Sequence, residues 1–491
     1  MYRSISVALL GAFALVLGAC SAESPVSPDA EDAAATPEMS VQGLDQTAVP
    51  RYFVAYRGAT PKGMETAVTA AGGSVDANYR DHGFVIVSGL EASAASDLRD
   101  LRGVTGVGEE PVIRLQPSRT SVQELTGSTI ASPAAPATAA GFSLQWNLRA
   151  VGAPAAWDAG ELGSSDVTLA ILDTGIDATH PDLAGRVDPA RSAVFHDRDD
   201  FIIPAFFPGS PEWADFNLHG THVASIAASN ALIFAGVTSG TTLLSVKVCD
   251  WEGLCPTLSV LEGIIHAIEN GADVINMSLG GEFDKRRPKE GLDDPRGPAF
   301  VAIVNSVFNA AKRAGVTVVV AAGNDARDID HNGSMFAAYC DAPHVICVSA
   351  TAPASEADIA NDGPWPEALI ATPYTNFGRS AITVAAPGGD GDPTPPVDDR
   401  FVNGPCATTS LIILLASGVP CTPANFLGVA GTSQAAPHVS GLAASLVTHF
   451  GRNPARIRAA IQKGADDLGT NGTDPFFGKG HINVAASLDV D

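Results

Sequence analysis

Basic residues are scarce in this sequence: 29 Lys and Arg stand against 54 Asp and Glu, a formal net charge of −25 over 491 residues. A nucleic acid or an anionic bilayer is held by basic side chains, so neither is expected as a direct partner. Long apolar runs are also rare, and past the N-terminal segment none has the length of a membrane-crossing helix. No internal repeat is found. The cysteines do not fall at zinc-ribbon spacing, which argues against a structural zinc.

What is abundant points elsewhere. Forty-nine glycines and 34 prolines suit a loop-rich α/β protein, and the length allows two or three domains around one sizeable core. Near the N-terminus, Arg3 precedes an uncharged run from Ser4 to Ala22 that contains Leu17-Gly18-Ala19-Cys20. A short apolar stretch ending in small residues reads as an export signal. The Leu-Gly-Ala-Cys sequence resembles the lipobox of bacterial lipoproteins, which implies a signal over 1–19 and a lipid on Cys20; an ordinary secretory signal is the alternative. Six further cysteines, Cys249, Cys255, Cys340, Cys347, Cys406 and Cys421, are an even number in an exported chain and suggest disulfides. Proximity favours Cys249–Cys255, Cys340–Cys347 and Cys406–Cys421.

Residues 20–49 have little to bury and read as a disordered tether. Over 50–115 the expected order is strand 51–57, helix 62–71, strands 74–78 and 83–88, helix 92–101 and a last strand 104–115. That βαββαβ order is the ferredoxin-like pattern. Residues 116–141 are rich in Pro, Ala and Thr and read as a linker, the obvious place for a cut. From 142 to 491, near-continuous apolar strands alternate with helices. The strands are Val167–Leu172, Leu243–Val248, Val274–Met277, Val316–Ala321, Val345–Ser349 and Ile382–Ala386; the helices cover 220–229, 257–269, 299–314 and 433–450. This predicts a mostly parallel sheet covered by helices on both faces, with function at the carboxyl ends of the strands.

Candidate chemistry sits at those ends. Asp173 closes the first strand, in Ile-Leu-Asp-Thr-Gly-Ile-Asp. Asp-Thr-Gly is also the aspartic-protease motif, but that chemistry needs two such carboxylates and this sequence has one. His219 opens His-Gly-Thr-His-Val-Ala; His222, three further on with no Glu between, lacks zinc-protease spacing and reads as a packing residue. Asn324, in Ala-Ala-Gly-Asn, carries an amide suited to donating to an oxyanion, although Asn more often caps turns. Val274-Ile-Asn-Met-Ser-Leu-Gly-Gly281 ends a strand in small residues, an edge that an extended peptide could join. Ser433 lies in Gly428-Val-Ala-Gly-Thr-Ser-Gln-Ala-Ala-Pro-His-Val, where a loop becomes a helix. Its hydroxyl would meet the unpaired N–H groups of a helix N-terminus. Alone, it would usually be an N-cap.

Asp, then His, then Ser is the chain order of the subtilisin triad. With the blocks around Asp173, His219, Asn324 and Ser433 all in order, the region 142–487 resembles the subtilisin-like serine protease family. The segment 50–115 is similar to the inhibitory propeptide of such enzymes. The resemblance implies Ser433 as nucleophile, His219 as general base and then acid, Asp173 as the group orienting the imidazole, and Asn324 in the oxyanion hole. Ser278, Leu279, Gly280 and Gly323 would line the substrate cleft. Asp215 matches a family position, and Asp182 falls where some members bind calcium, so a structural calcium is possible while none is needed for chemistry.

Departures from the family pattern are Ser225 for a usual glycine, Gln434 for a usual methionine, Ala436 for a usual serine, and insertions over 282–298 and 388–425. The expectation is an exported endopeptidase made as a self-processing zymogen, acting on proteins or peptides and inhibited by its own propeptide. It would be a monomer, tied to a bacterial membrane only by the lipid before maturation and periplasmic or extracellular afterwards. The alternatives are a catalytically silent binding module on the same fold and an α/β-hydrolase esterase. Loss of a triad residue would mark the first, and none is lost; the second requires a Gly-x-Ser-x-Gly elbow in a Ser, Asp, His order.

Overall fold

Apolar side chains occur at successive positions of the strands near residues 52 and 85, so a sheet made from them must be covered on both faces. A computed structural model describes residues 49–115, 119–125, 135–284, 297–392 and 399–489. The signal segment, Cys20 and nearly all of the tether lie outside the described residues. The first sheet is antiparallel, built from β1 (Arg51–Tyr56), β2 (Ser74–Tyr79), β3 (Phe84–Ser88) and β4 (Val104–Glu109) in the order β2-β3-β1-β4. Tyr52, Val54, Val85 and Val87 pack on Met64, Val68, Ala95 and Leu98 from the unit's own two helices. Phe53, Ala55, Phe84 and Ile86 face the other way and join the core of the large domain, where the Phe53 ring lies 5.7 Å from Phe300.

The strand expected over 104–115 is broken. Pro111 has no N–H to give a ladder, and after it β5 (Val112–Arg114) leaves the small sheet to pair antiparallel with Leu254–Pro256. At the break, Glu110 Oε1 accepts the N–H groups of Leu258 and Ser259 at 2.6 and 3.3 Å. These are orphan donors at the start of the helix Thr257–Glu269. The region read as a linker also holds a strand, β6 (Arg119–Glu124), which pairs with Asn425–Ala430.

The large sheet is assembled from β7 (Thr168–Asp173), β8 (Ala193–Val194), β9 (Thr242–Lys247), β11 (Val274–Met277), β13 (Thr317–Ala321), β15 (Ile346–Pro353), β16 (Leu369–Ala371) and β17 (Val384–Pro387). The edge hairpins and ribbons are β10 (Leu254–Pro256), β12 (Gly281–Asp284), β14 (Met335–Ala338), β18 (Val402–Pro405) and β19 (Asn425–Ala430). The large-sheet order is β16-β15-β13-β11-β7-β9-β8, with β17 beside β15. Every pair is parallel except β15 with β16. Alternation along β7 sends Ala170 and Leu172 to one face, under the helices Thr257–Glu269 and Pro298–Arg313. Leu169 and Ile171 go to the other, under His219–Ala227, Thr432–Phe450 and Pro454–Gly464. The expected α/β fold is therefore present, with helices on both faces. All three expected disulfides, Cys249–Cys255, Cys340–Cys347 and Cys406–Cys421, are formed.

Candidate active site

Asp173 is the last residue of β7 and is fully buried. Its Oδ1 lies 2.7 Å from Nδ1 of His219, the first residue of its helix. That approach depends on Gly220, since a Cβ there would come within 2.1 Å of the Gly175 carbonyl oxygen. Asp215 ties strand end to helix start. It accepts the Thr174 hydroxyl at 2.9 Å, the Thr221 N–H at 2.9 Å and the Thr221 hydroxyl at 2.7 Å. Beneath them, the buried Lys247 donates to the carbonyls of Thr174 and Ala214 at 2.9 and 2.8 Å and pairs with Asp199 at 2.8 Å. Burial alone pushes the His219 imidazole down, but the Asp173 carboxylate, helped by Asp215, outweighs it and leaves the pKa raised.

Ser433 is the second residue of the helix Thr432–Phe450. Its hydroxyl donates to the Ser278 carbonyl at 3.0 Å, not to His219. Among the described residues His219 Nε2 has no partner. Pro437 sits inside this helix. Lacking an N–H, it leaves the Ser433 carbonyl without its helical donor, and the Ser278 hydroxyl supplies one at 2.7 Å.

Asn324 Oδ1 accepts the N–H and the hydroxyl of Thr432, both at 2.9 Å. That fixes the amide with its Nδ2 toward Gly431, where a Cβ would stand 3.4 Å from it. Asn376 clamps the same loop by accepting the N–H groups of Asp325 and Arg327 and donating to the Ala322 carbonyl, all at 3.0 Å. Ser278, Leu279, Gly280 and Gly323 line one cleft of about 410 Å³ with Asn324 and Ser433. The same cleft is lined by Val112, Ile113, Arg114 and Leu115, and Leu115 N–H donates to the Gly253 carbonyl at 2.8 Å.

Both Asp182 oxygens are taken by backbone N–H groups: Oδ1 by Leu232 and Ile233 at 2.9 and 2.8 Å, Oδ2 by Phe234 at 2.9 Å. Among the described residues no group of three His, Cys, Asp or Glu could hold a metal ion. Ser225 does not crowd its helix: its hydroxyl turns back to the His222 carbonyl at 2.8 Å, with Gly404 opposite. His222 is fully buried, and burial, then His219, pushes its pKa down to about 3, as suits a neutral packing residue.

Sequence reasoning missed Thr432 and Asn376 as positioning groups, and the buried cation Lys247. Thr432 was visible as the residue before Ser433; the other two gave no local signal.

The sheet carries an aspartate and a histidine paired at one strand end, and a serine at the start of a helix. The model of the subtilase family matches residues 164–480, and the chain belongs to that family. It is 31% identical over 331 residues to the thermophilic serine proteinase of Bacillus sp. strain AK1, covering 67% of this chain but 63% of that protein. It is 30% identical to thermitase of Thermoactinomyces vulgaris, covering 70% of this chain and 95% of thermitase. In fold it resembles the epidermin leader peptide processing protease of Staphylococcus aureus, with a TM-score of 0.63 and 20% identity. That superposition covers 90% of this chain and 98% of the other. Among the described residues no helix is long and apolar enough to cross a membrane.

Proposed function

We propose that this chain is an exported serine endopeptidase, made as a self-processing zymogen. The observation that carries the reading is the 2.7 Å contact of His219 Nδ1 with Asp173, in a site where Ser433 and Asn324 line one cleft. His219 Nε2 takes the proton of the Ser433 hydroxyl as its oxygen attacks the substrate carbonyl. The oxyanion forms against Asn324 Nδ2 and the Ser433 N–H. Collapse breaks the peptide bond, the imidazolium passes its proton to the leaving amine, and an acyl-enzyme remains. Water, deprotonated by the same imidazole, then frees the acid and restores Ser433. Asp173 holds the tautomer throughout. No cofactor enters the scheme.

Residues 50–115 act as the inhibitory propeptide, a role supported by β5 lying along the cleft that Ser433 lines. Cys20 carries the lipid of the precursor, the mature enzyme is a periplasmic or extracellular monomer, and the cut falls after Leu115. Export is in keeping with a relative named a minor extracellular protease, from Bacillus subtilis. Mass spectrometry of the purified full-length chain, with and without Ser433→Ala, tests the reading. Self-cleavage after Leu115 in wild type and an intact Ser433→Ala chain are expected. Identical products from both would sink it.

A further inference from the structure

The antiparallel ribbon of β12 and β14 forms one wall of the cleft that Ser433 and Asn324 line, and it puts a carboxylate there. Glu282 of β12 stands opposite Ala337 of β14. Alternation along β12 sends Phe283 into the core, where its ring lies 6.1 Å from Phe300, and turns Glu282 to the other face. The ribbon abuts the end of β11 at Gly280, since a Cβ there would stand 2.6 Å from the Ala338 carbonyl oxygen. Gly280, Ala322, Gly323, Met335 and Ala337 line the same cleft and bring no polar side chain to it.

The Glu282 side chain is only 9% exposed, yet one of its two oxygens is unused. Oε2 pairs with Arg327, whose side chain is 56% exposed and reaches in from solvent. Oε1 is buried and, among the described residues, has no hydrogen-bond partner. A buried carboxylate oxygen left unsatisfied is destabilising, and a donor that arrives with a ligand removes that cost. The charge balance points the same way. Of the charged side chains that the large domain brings to the cleft, Glu282 and Asp325 are acidic and Arg327 is basic. Arg114 belongs to β5 and leaves with the propeptide. An ammonium or guanidinium group would donate to Oε1 and offset the excess negative charge, whereas a carboxylate would be repelled. Leu115 does not fill this place. It packs on Gly253, where a Cβ would stand 3.3 Å from it. The self-cleaved bond is presented by β5 within the same chain, so it needs no such contact.

We propose that Glu282 selects a cationic side chain, Lys or Arg, on the residue whose carbonyl Ser433 attacks. This rests on the proteolytic reading above and names its substrate class, peptides cut after a basic residue.

The test uses the enzyme matured from the full chain. Three tetrapeptide anilides are compared that differ only in the residue before the cut bond: Arg, Gln or Leu. Wild type is expected to show kcat/KM for the Arg peptide at least tenfold above that for the Gln peptide. In Glu282→Gln, which keeps the shape and loses the charge, that ratio should fall to threefold or less. Ratios taken within one enzyme cancel any difference in the amount of folded protein. Arg327→Gln, at an exposed position, removes the cation that competes for the carboxylate and should widen the wild-type ratio at least threefold. A wild-type ratio near one or below, with the Gln or Leu peptide hydrolysed, overturns the selection and leaves the proteolytic reading standing. A tenfold ratio that persists in Glu282→Gln overturns the assignment to Glu282, as does a ratio that Arg327→Gln leaves unchanged or narrows. No hydrolysis of any of the three overturns the proteolytic reading and the selection with it.

Discussion

Asn324 Oδ1 accepts both the N–H and the hydroxyl of Thr432, at 2.9 Å each. Thr432, the residue before Ser433, therefore fixes the orientation of the Asn324 amide. Asn324→Ala should lower kcat by about 10²–10³-fold with KM little changed, the loss known for the matching donor of subtilisin. Thr432→Val keeps the N–H bond and loses the hydroxyl one, so its kcat should fall less, by about tenfold. A kcat for Asn324→Ala within threefold of wild type would remove Asn324 from the oxyanion hole.

Asp182 binds three backbone amides at the position where a calcium is possible. Those N–H groups carry the partial positive charge that a metal would otherwise supply, and burial pushes the carboxyl up to about 6 against their pull. Excess chelator should leave the unfolding midpoint of the Ser433→Ala chain within about 2 °C, a shift too small for a lost structural metal. Asp182→Asn swaps one acceptor oxygen for a donor facing an N–H and should cost about 1–3 kcal/mol. A chelator-induced drop of ten degrees or more would restore the calcium expectation at some other site.

The stretch from Cys406 to Cys421 is closed by a disulfide across a separation of 15 residues. Joining a loop of that length contributes about 3 kcal/mol in the chain-entropy model. Converting both cysteines to alanine in a Ser433→Ala background should lower urea-unfolding stability by about that amount. The loss should fall on the seat of β6, because the disulfide packs against Leu218, Ile413 and Val429. A change below about 1 kcal/mol would show that β18 and the helix Leu411–Ser417 hold the insertion unaided.

The parts of this molecule visible in the sequence are those with a local signature. Asp173, Asn324 and the strand ends follow from apolar runs that stop at a polar residue. His219 and Ser433 follow from glycines and small residues at helix entries. The disulfides followed from short spacing. Pairing between distant segments left no such mark. β6 is hidden in a stretch whose Pro and Ala content suggests a linker, and only β19, far along the chain, gives Thr120 and Val122 a reason to be a strand. Lys247 ends an apolar strand and looks like an exposed edge residue. Its burial is explained only once the carbonyls of Thr174 and Ala214 and the carboxylate of Asp199 converge on it. Pro111 was a legible break within the strand expected over 104–115, since a proline removes the ladder donor.

The contact between residues 50–115 and the large domain should loosen as pH rises, because of Glu110. Burial pushes its carboxyl from 4.5 up to about 7, against Arg51 and the amides of Leu258 and Ser259, which pull it down. Arg51, 3.7 Å away, and Glu262, which Arg51 also pairs with, are the other charges facing it. Once the propeptide leaves, Glu110 is solvated and returns to the ordinary value. A carboxyl whose pKa is higher docked than free takes up a proton on docking. Its contribution is therefore complete below pH 4.5 and lost as pH rises through 7. Over that window the effect is up to about 3 kcal/mol, on the order of a hundredfold in affinity. The measurement is co-elution of the cleaved propeptide with the protease, after the active serine is blocked irreversibly so that neither is digested. Wild type should hold the propeptide at pH 5 and release it markedly faster at pH 8. Glu110→Gln keeps an acceptor for the two amides but cannot ionise, so its release should be nearly independent of pH across this range. Faster release at pH 5 than at pH 8 in wild type would show that the carboxylate, held by Arg51 and the helix N-terminus, is the docked form.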